Sequence, residues 1–419
     1  MPAPAPREFA TGCCIAGGGP AGMMAALLLV RAGIPVTVLE KHADFLRDFR
    51  GDTIHPSTLE VIAELGLLDD FLARPHQKVS SIRAAIGDQS FEIADFSHLP
   101  TRCRFIALMP QWDFLDFLAD SARRYPGFRL MMQAEATGLL RDQDRVTGVV
   151  SRTPDGDIAV RADLVIAADG RHSTLREKAG LKPVVLGAPI DVLWMRLSRR
   201  DSDPDVPVGR FEAGSLFVMI YRGDYWQCAM VIPKGGFESI RARGIEAFRD
   251  EVARLANFGA DRVGEIRSFD DVKLLTVAVD RLERWVAPGL LCIGDAAHAM
   301  SPIGGVGINL AIQDAVAAAN ILAGPLAAGP PPVPVLERVE RRRLLPTRLT
   351  QWAQVQVQNR ILKPTLAATS RPRPPLVVKL LDRCPVLRRI PARLIGVGVR
   401  PEHVETPGYR GGAAATGDG

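Results

Sequence analysis

Short runs of consecutive apolar residues closed by glycine recur along this chain. Cys13 to Ala16 leads into Gly17-Gly18-Gly19-Pro20-Ala21-Gly22, which opens an apolar stretch ending at Gly33; Val36 to Leu39 follows and ends in Glu40. Ala162 to Ala168 runs into Asp169-Gly170, and Leu290 to Ile293 into Gly294-Asp295. Runs this short, apolar but for Thr37 and Asp163 and cut by glycine or an acid, predict parallel strands buried on both faces. The stretch from Pro20 to Gly33 predicts a helix of about three turns. A longer apolar helix is predicted from Asn309 to Leu322, entered through the glycine turn Pro302-Ile303-Gly304-Gly305-Val306-Gly307.

Elsewhere the period is two. From Val79 to Phe96, and again from Asp191 to Lys273, apolar and polar residues alternate. Val192, Trp194, Arg196 and Ser198 share one face, and Leu193, Met195 and Leu197 the other, as in a half-buried strand. Leu216 to Tyr221 and Tyr225 to Ile232 flank Arg222-Gly223-Asp224, which has the chemistry of a hairpin turn. These strands predict an antiparallel sheet outside the parallel one. Amphipathic helices are predicted after Ser57, with Ser57 as N-cap, and from Pro110-Gln111 to near Tyr125. Residues 1–9 and 406–419 are expected to be frayed or disordered.

The fold class expected is therefore α/β. A discontinuous Rossmann-like domain takes 1–75, 100–185 and 285–333, an inserted antiparallel sheet takes 76–99 and 186–284, and C-terminal helices cross 334–405. Arg360, Lys363 and the proline-rich Arg371 to Pro375 predict that the last region is broken rather than one helix.

Composition adds limits. The chain has 419 residues, 47% hydrophobic and 24% charged, room for two or three domains. Its longest apolar run, Met23 to Val30, is short for a bilayer, and no positively charged leader precedes a hydrophobic core, so a cytoplasmic protein is expected. The six cysteines lack metal-ligand spacing and read as buried thiols in a reducing compartment, with no metal site. The net charge of +5 is uneven: residues 341–400 hold 14 Lys and Arg against Asp382 alone. That excess reads either as a solvated helical face or as a peripheral contact with an anionic membrane. Nucleic acid is not expected, since binding it calls for aromatic residues interleaved with the arginines.

The first glycine turn carries chemistry. Strand, glycine turn, helix, strand and acid, in that order, form a dinucleotide-binding signature. Gly17 permits a tight exit from the strand, Gly19 lets backbone approach a pyrophosphate, and Gly22 lets helix and strand pack closely. A helix N-terminus there is worth roughly 0.3–2 kcal/mol to an anion. Glu40, beyond the second strand, accepts hydrogen bonds from ribose hydroxyls and disfavours a 2′-phosphate, which favours FAD or NAD over NADP. In the loop after it, Arg50 either reaches the pyrophosphate or is a surface residue. Asp295 stands at a strand's C-terminal end, where doubly wound sheets bind ligands. The turn from Pro302 points a second helix N-terminus at the same crevice.

Together, Gly17 to Gly22, Asp169-Gly170 and Gly294-Asp295 resemble the motifs of the flavoprotein aromatic hydroxylases of the p-hydroxybenzoate hydroxylase fold, which are single-component FAD monooxygenases. Order and spacing extend the resemblance over nearly the whole chain. It implies that Glu40 holds the ribose of FAD, that Arg50 and Gln111 contact the cofactor, and that Asp169 and Gly170 serve FAD and pyridine-nucleotide binding. Asp295 then holds the ribityl chain, with Gly294 at its turn. Pro302 and the backbone of Gly304, Gly305, Gly307, Ile308 and Asn309 lie beside the isoalloxazine, where a helix N-terminus stabilises the reduced flavin's negative charge. His298 and Pro302 are the flavin-adjacent candidates, and no residue is implied as a certain catalyst. Val306 departs from the pattern, since the family often has Gln there.

The activity implied is hydroxylation of an aromatic or similarly electron-rich small molecule through a flavin C4a-hydroperoxide, with O₂ and with NAD(P)H as a transient co-substrate. Trp194, Arg196, Tyr221 and Trp226 on the antiparallel sheet are candidate substrate walls. The alternatives are an FAD-dependent reductase of prenyl-chain or quinone-like substrates, a flavin-binding protein without catalysis, and a plain NAD dehydrogenase. A monomer or homodimer is expected.

Overall fold

The computed structural model describes residues 7–46, 53–203, 208–370 and 372–409. Its larger sheet has eight strands, with Arg7–Ala16 at the centre between Gly156–Ala167 and Val36–Leu39, all parallel. Phe128–Met131 extends one side and Leu290–Cys292 the other, again parallel. Antiparallel strands Arg145–Thr153, Glu135–Asp142 and Val286–Ala287 complete it. The C-terminal ends of the parallel strands thus release Gly17, Glu40, Asp169 and Gly294 along one edge. The central strand begins at Arg7, so the fraying expected of residues 7–9 does not occur: they pair with Ile158, Ala159 and Val160.

Helix Pro20–Arg31 follows the first strand, and every residue from Ala21 to Val30 is buried. A helix apolar all round needs neighbours all round. Here they are Gln111–Arg123 and the 23-residue helix Val306–Ala328. The span Ile303–Ala328 is long and apolar enough to cross a membrane, longer than any uninterrupted apolar run, but 83% of its apolar window is buried inside the protein. Helix Pro56–Glu64 starts two residues earlier than a Ser57 cap would set it. Proline occupies its first turn, His55 precedes it, and the Ser57 hydroxyl does not cap but donates to Asn309.

A seven-stranded sheet joins Ser81–Ile86 and Gln89–Asp95 to the strands between Ile190 and Leu275. Its alternation is two-sided. Leu193, Met195, Leu197, Trp226, Cys228 and Met230 pack outward against helix Ile245–Ala256. Val192, Trp194, Val218, Ala229 and Val231 pack inward, toward Ile303 and the C-terminal residues Ile361 and Leu362.

The C-terminal region is broken, as its prolines imply. Val333–Val357 passes through a π turn, Gln358–Leu362, into Lys363–Ala367, and after Pro372, Pro374 and Pro375 come Leu376–Arg383 and Arg389–Gly396. The chain then returns as a strap. Residues 406–409, expected to be disordered, are held: Arg31 Nη1 donates to the Thr406 carbonyl at 2.9 Å, and the Tyr409 ring lies 5.6 Å from that of Tyr125.

Candidate active site

The three glycine turns touch. A Cβ added at Gly17, whose φ is 102°, would lie 2.3 Å from the Ala168 carbonyl oxygen, and one added at Gly22 would lie 2.0 Å from that of Gly17. At Gly294, φ 58°, it would lie 2.9 Å from the Ala21 Cβ. The backbone approaches at these points because no side chain intervenes. Gly19 differs: an added Cβ there meets nothing within 4 Å. The turn is therefore packed on its inner side and open where the helix begins, a cradle whose first-turn amides, left over by the helix, fit an anionic diphosphate.

Glu40 closes one end of the cradle. The Gly18 amide donates to its Oε2 at 2.9 Å, and the His42 amide to its Oε1 at 3.0 Å. The carboxylate is 7% exposed, so both oxygens are fixed in direction before any ligand arrives. Arg50 lies outside the described residues, and its expected role is neither placed nor displaced. Gln111, half-buried, is the first residue of the helix that packs beside the cradle.

At the second turn Asp169 accepts from the Ser173 hydroxyl and, at 3.2 Å, from the Leu175 amide, while Ser173 caps the helix Thr174–Lys178. Burial pushes the Asp169 carboxyl above its ordinary range, and these hydrogen bonds pull the other way. Arg176, buried, donates to the Ala296 carbonyl at 3.1 Å and to that of Arg171 at 2.8 Å, which ties the second turn to the third. Asp295 has Arg171 3.7 Å away and remains 37% exposed, a carboxylate free to accept from a ligand.

The turn after Pro302 is built from left-handed glycines and clamps. Gly304 and Gly305 have φ of 76° and 64°, and a Cβ on Gly305 would strike the Thr53 hydroxyl, which itself donates to the Gly305 carbonyl at 3.1 Å. Beside Thr53, burial holds His55 down at about 4, against the carbonyls of Ile395 and Gly305. Asn309 is buried, and its Oδ1 accepts from Ser57 at 2.8 Å and Thr58 at 2.7 Å. Pro302 precedes the turn, and Ile308 is buried in the first turn of the following helix. A ladder of glutamines on one face of the C-terminal helix grips the extended segment leading to it. Gln351 donates to the Asp280 and Ala299 carbonyls, Gln354 to those of Ser301 and Ile303, and Gln358 to the Ser301 hydroxyl.

Behind the third turn lies a buried ionic chain. Asp314 Oδ2 accepts from the Gly294 amide at 3.1 Å and lies 2.6 Å from His298 Nε2; its Oδ1 accepts from Arg343 at 3.0 Å. Burial alone would raise the Asp314 carboxyl, but His298 and Arg343 together hold it below its ordinary range. Arg343 continues to Glu402 at 3.2 Å. His298 is 1% exposed, with its ring 5.0 Å from that of Trp285, and it acts here on the turn through Asp314.

The expected substrate wall divides. Trp194 stands on the inner face, and its indole Nε1 is shielded from solvent with no hydrogen-bond partner among the described residues. Arg196 shares that face but sits at the exposed rim, 3.5 Å from Asp224 and over the Tyr225 ring. Tyr221 and Trp226 are not wall residues. They pack on each other on the outer face, where Trp226 Nε1 donates to Asp203 at 2.9 Å. The expectation failed because alternation tells which residues share a face but not which face meets the crevice.

Arg176, Asp314, Arg343 and the glutamine ladder escaped sequence reasoning. Asp314 had a signal, as the one acid in the apolar helix Val306–Ala328, and the glutamines recur at helical spacing.

Residues 10–353 match the family described as FAD binding domain. The chain is 32% identical, over 97% of its own length and 97% of the other's, to 6-methylpretetramide 4-monooxygenase of Streptomyces rimosus. Among solved structures it resembles OxyS anhydrotetracycline hydroxylase of the same organism, with TM-score 0.72, 24% identity and 93% and 76% of the two chains covered. It also resembles p-nitrophenol 4-monooxygenase PnpA of Pseudomonas putida, with TM-score 0.75, 21% identity, and 92% and 97% covered. At those identities the two structures establish the fold.

Proposed function

The chain belongs to the FAD binding domain family and is an FAD-dependent monooxygenase, and on that premise we propose that it uses NAD(P)H and O₂ to hydroxylate a flat, phenolic polycycle of polyketide type. Bound FAD supplies electron transfer from the nicotinamide, dioxygen activation and delivery of one oxygen atom. The protein's own part is binding, orientation and water exclusion.

The open helix N-terminus at Gly19 would hold the pyrophosphate, Glu40 the adenosine ribose and Asp295 the ribityl chain. The glycine turn from Gly304, opening helix Val306–Ala328, would set the ring and offer its N-terminus to negative charge. The observation that carries the substrate reading is the shared cluster of Ile303, in that turn, and Trp194, on the inner face of the second sheet. An apolar plate opposite the turn suits a planar ring system, and the Trp194 indole N–H, without a partner among the described residues, suits a phenol or carbonyl oxygen upon it. The 97% coverage of a relative named for 6-methylpretetramide supports the same class.

The test is oxygen uptake and NAD(P)H oxidation with fused phenolic polycycles, single-ring phenols, quinones and prenyl lipids. Stoichiometric O₂ use with a product one oxygen heavier on the polycycles supports the reading. Reduction of prenyl lipids or quinones without O₂ uptake would place the chain with flavin reductases.

A further inference from the structure

Six large aliphatic side chains between Leu376 and Leu394 stand in solvent: of these Leu376 is 83% exposed, Val386 66% and Ile390 59%. They are not scattered. In helix Leu376–Arg383, Leu376 and Leu380 lie four residues apart on the outer side, while Val378 on the inner side packs with Ile86 and Phe91. Helix Arg389–Gly396 repeats the plan: Ile390 and Leu394 point out, and Ala392 packs inward with Phe96 and Leu99.

Each exposed pair has a cationic pair beside it at the same spacing. Lys379 and Arg383 flank the first and Arg389 and Arg393 the second, all exposed, and none is in an ion pair among the described residues. Arg388, the neighbour that is paired, is turned inward to Glu92. Residues 371–400 hold eight Lys and Arg against Asp382 alone.

An exposed apolar ridge bordered by unpaired cations is the pattern of an interfacial helix: the aliphatic groups enter the acyl boundary while the cations meet lipid phosphates and carboxylates. We infer that Leu376–Leu394 docks this protein on an anionic bilayer surface. A second copy is the less fitting occupant, because a two-fold contact would set these cations against themselves. The ridge also adjoins the site: Ile395, inside the second helix, accepts from His55 Nδ1 at 2.7 Å.

The inference does not rest on the substrate reading. The FAD-loaded full chain is sedimented with vesicles of phosphatidylcholine alone or of equimolar phosphatidylcholine and phosphatidylserine, and its mass is measured in solution by light scattering. Binding to the mixed vesicles alone is expected, weakened about tenfold by molar salt, by Lys379→Glu with Arg383→Glu, and by Leu376→Ser with Leu380→Ser. Full flavin content and unchanged NAD(P)H oxidation in both double variants would show that the loss belongs to the surface. Equal failure of the wild type on both vesicles would overturn the inference. So would a dimer that Leu376→Ser with Leu380→Ser converts to a monomer, since a second copy would then cover the ridge.

Discussion

Gly19→Ala and Gly22→Ala separate what the glycine turn does for the cofactor from what it does for the fold. At Gly19 the backbone is extended, with φ −74°, and the added methyl meets nothing within 4 Å, so the apoprotein should keep its stability to within about 1 kcal/mol. The methyl would instead stand where a pyrophosphate must approach. Overpacking of one methyl into a filled site costs about 1–3 kcal/mol, which is about 5- to 150-fold in FAD affinity. At Gly22 the methyl falls 2.0 Å from the Gly17 carbonyl oxygen, so the turn itself must open and stability should drop with affinity. Quenching of flavin fluorescence on titrating apoprotein gives the affinity, and thermal unfolding of the apoprotein gives the stability. Wild-type affinity in Gly19→Ala, or equal loss of apoprotein stability in both variants, would refute the reasoning.

Other expectations follow from the buried groups. Arg343→Met leaves Asp314 and Glu402 buried with fewer partners, and breaking such a pair should cost about 3–5 kcal/mol in chemical denaturation, with weaker FAD retention because Asp314 holds the Gly294 amide; a change below about 1 kcal/mol would contradict the assignment. His55 has a folded pKa near 4 against an unfolded value near 6.5, so the unfolded chain binds the proton first on acidification. Its contribution is intact above about pH 6.5 and should fall by up to about 3 kcal/mol by pH 4, a slope that His55→Gln should flatten in unfolding curves taken across that window. Trp194→Phe keeps the apolar plate and removes the donor. It should lower kcat/KM about five- to tenfold through the loss of one hydrogen bond while leaving flavin reduction without substrate unchanged, and wild-type kcat/KM would take the indole out of substrate recognition.

Much of the frame was legible in the sequence because burial on both faces leaves an unbroken apolar run, and a glycine at its end marks where backbones must meet. Val36–Leu39 falls on the expected residues, and Trp194 and Arg196 do share a face. What stayed hidden were properties of pairs distant in sequence. Nothing local says that Trp226 turns toward helix Ile245–Ala256, or that Ser57 will seek Asn309 instead of its own helix terminus. Composition misleads at the ends of the chain for the same reason: polar and proline-rich residues imply fraying, yet Arg7 to Phe9 pair with Ile158 to Val160 and Thr406 is held by Arg31. Asp314 marks the boundary between the two cases, visible as an isolated acid in an apolar helix but without a visible partner.

In the proposed function one crevice, built from the turns at Gly17, Asp169 and Gly294, would hold FAD for oxygen transfer to an aromatic substrate placed against Trp194. Turnover of a fused phenolic substrate under isotopically labelled dioxygen, followed by mass spectrometry of the product, tests it most directly. One labelled oxygen atom per product, one NAD(P)H consumed with it, and loss of both in Asp295→Ala together with FAD content are expected. Product bearing oxygen from water, or product reduced without any label, would contradict it.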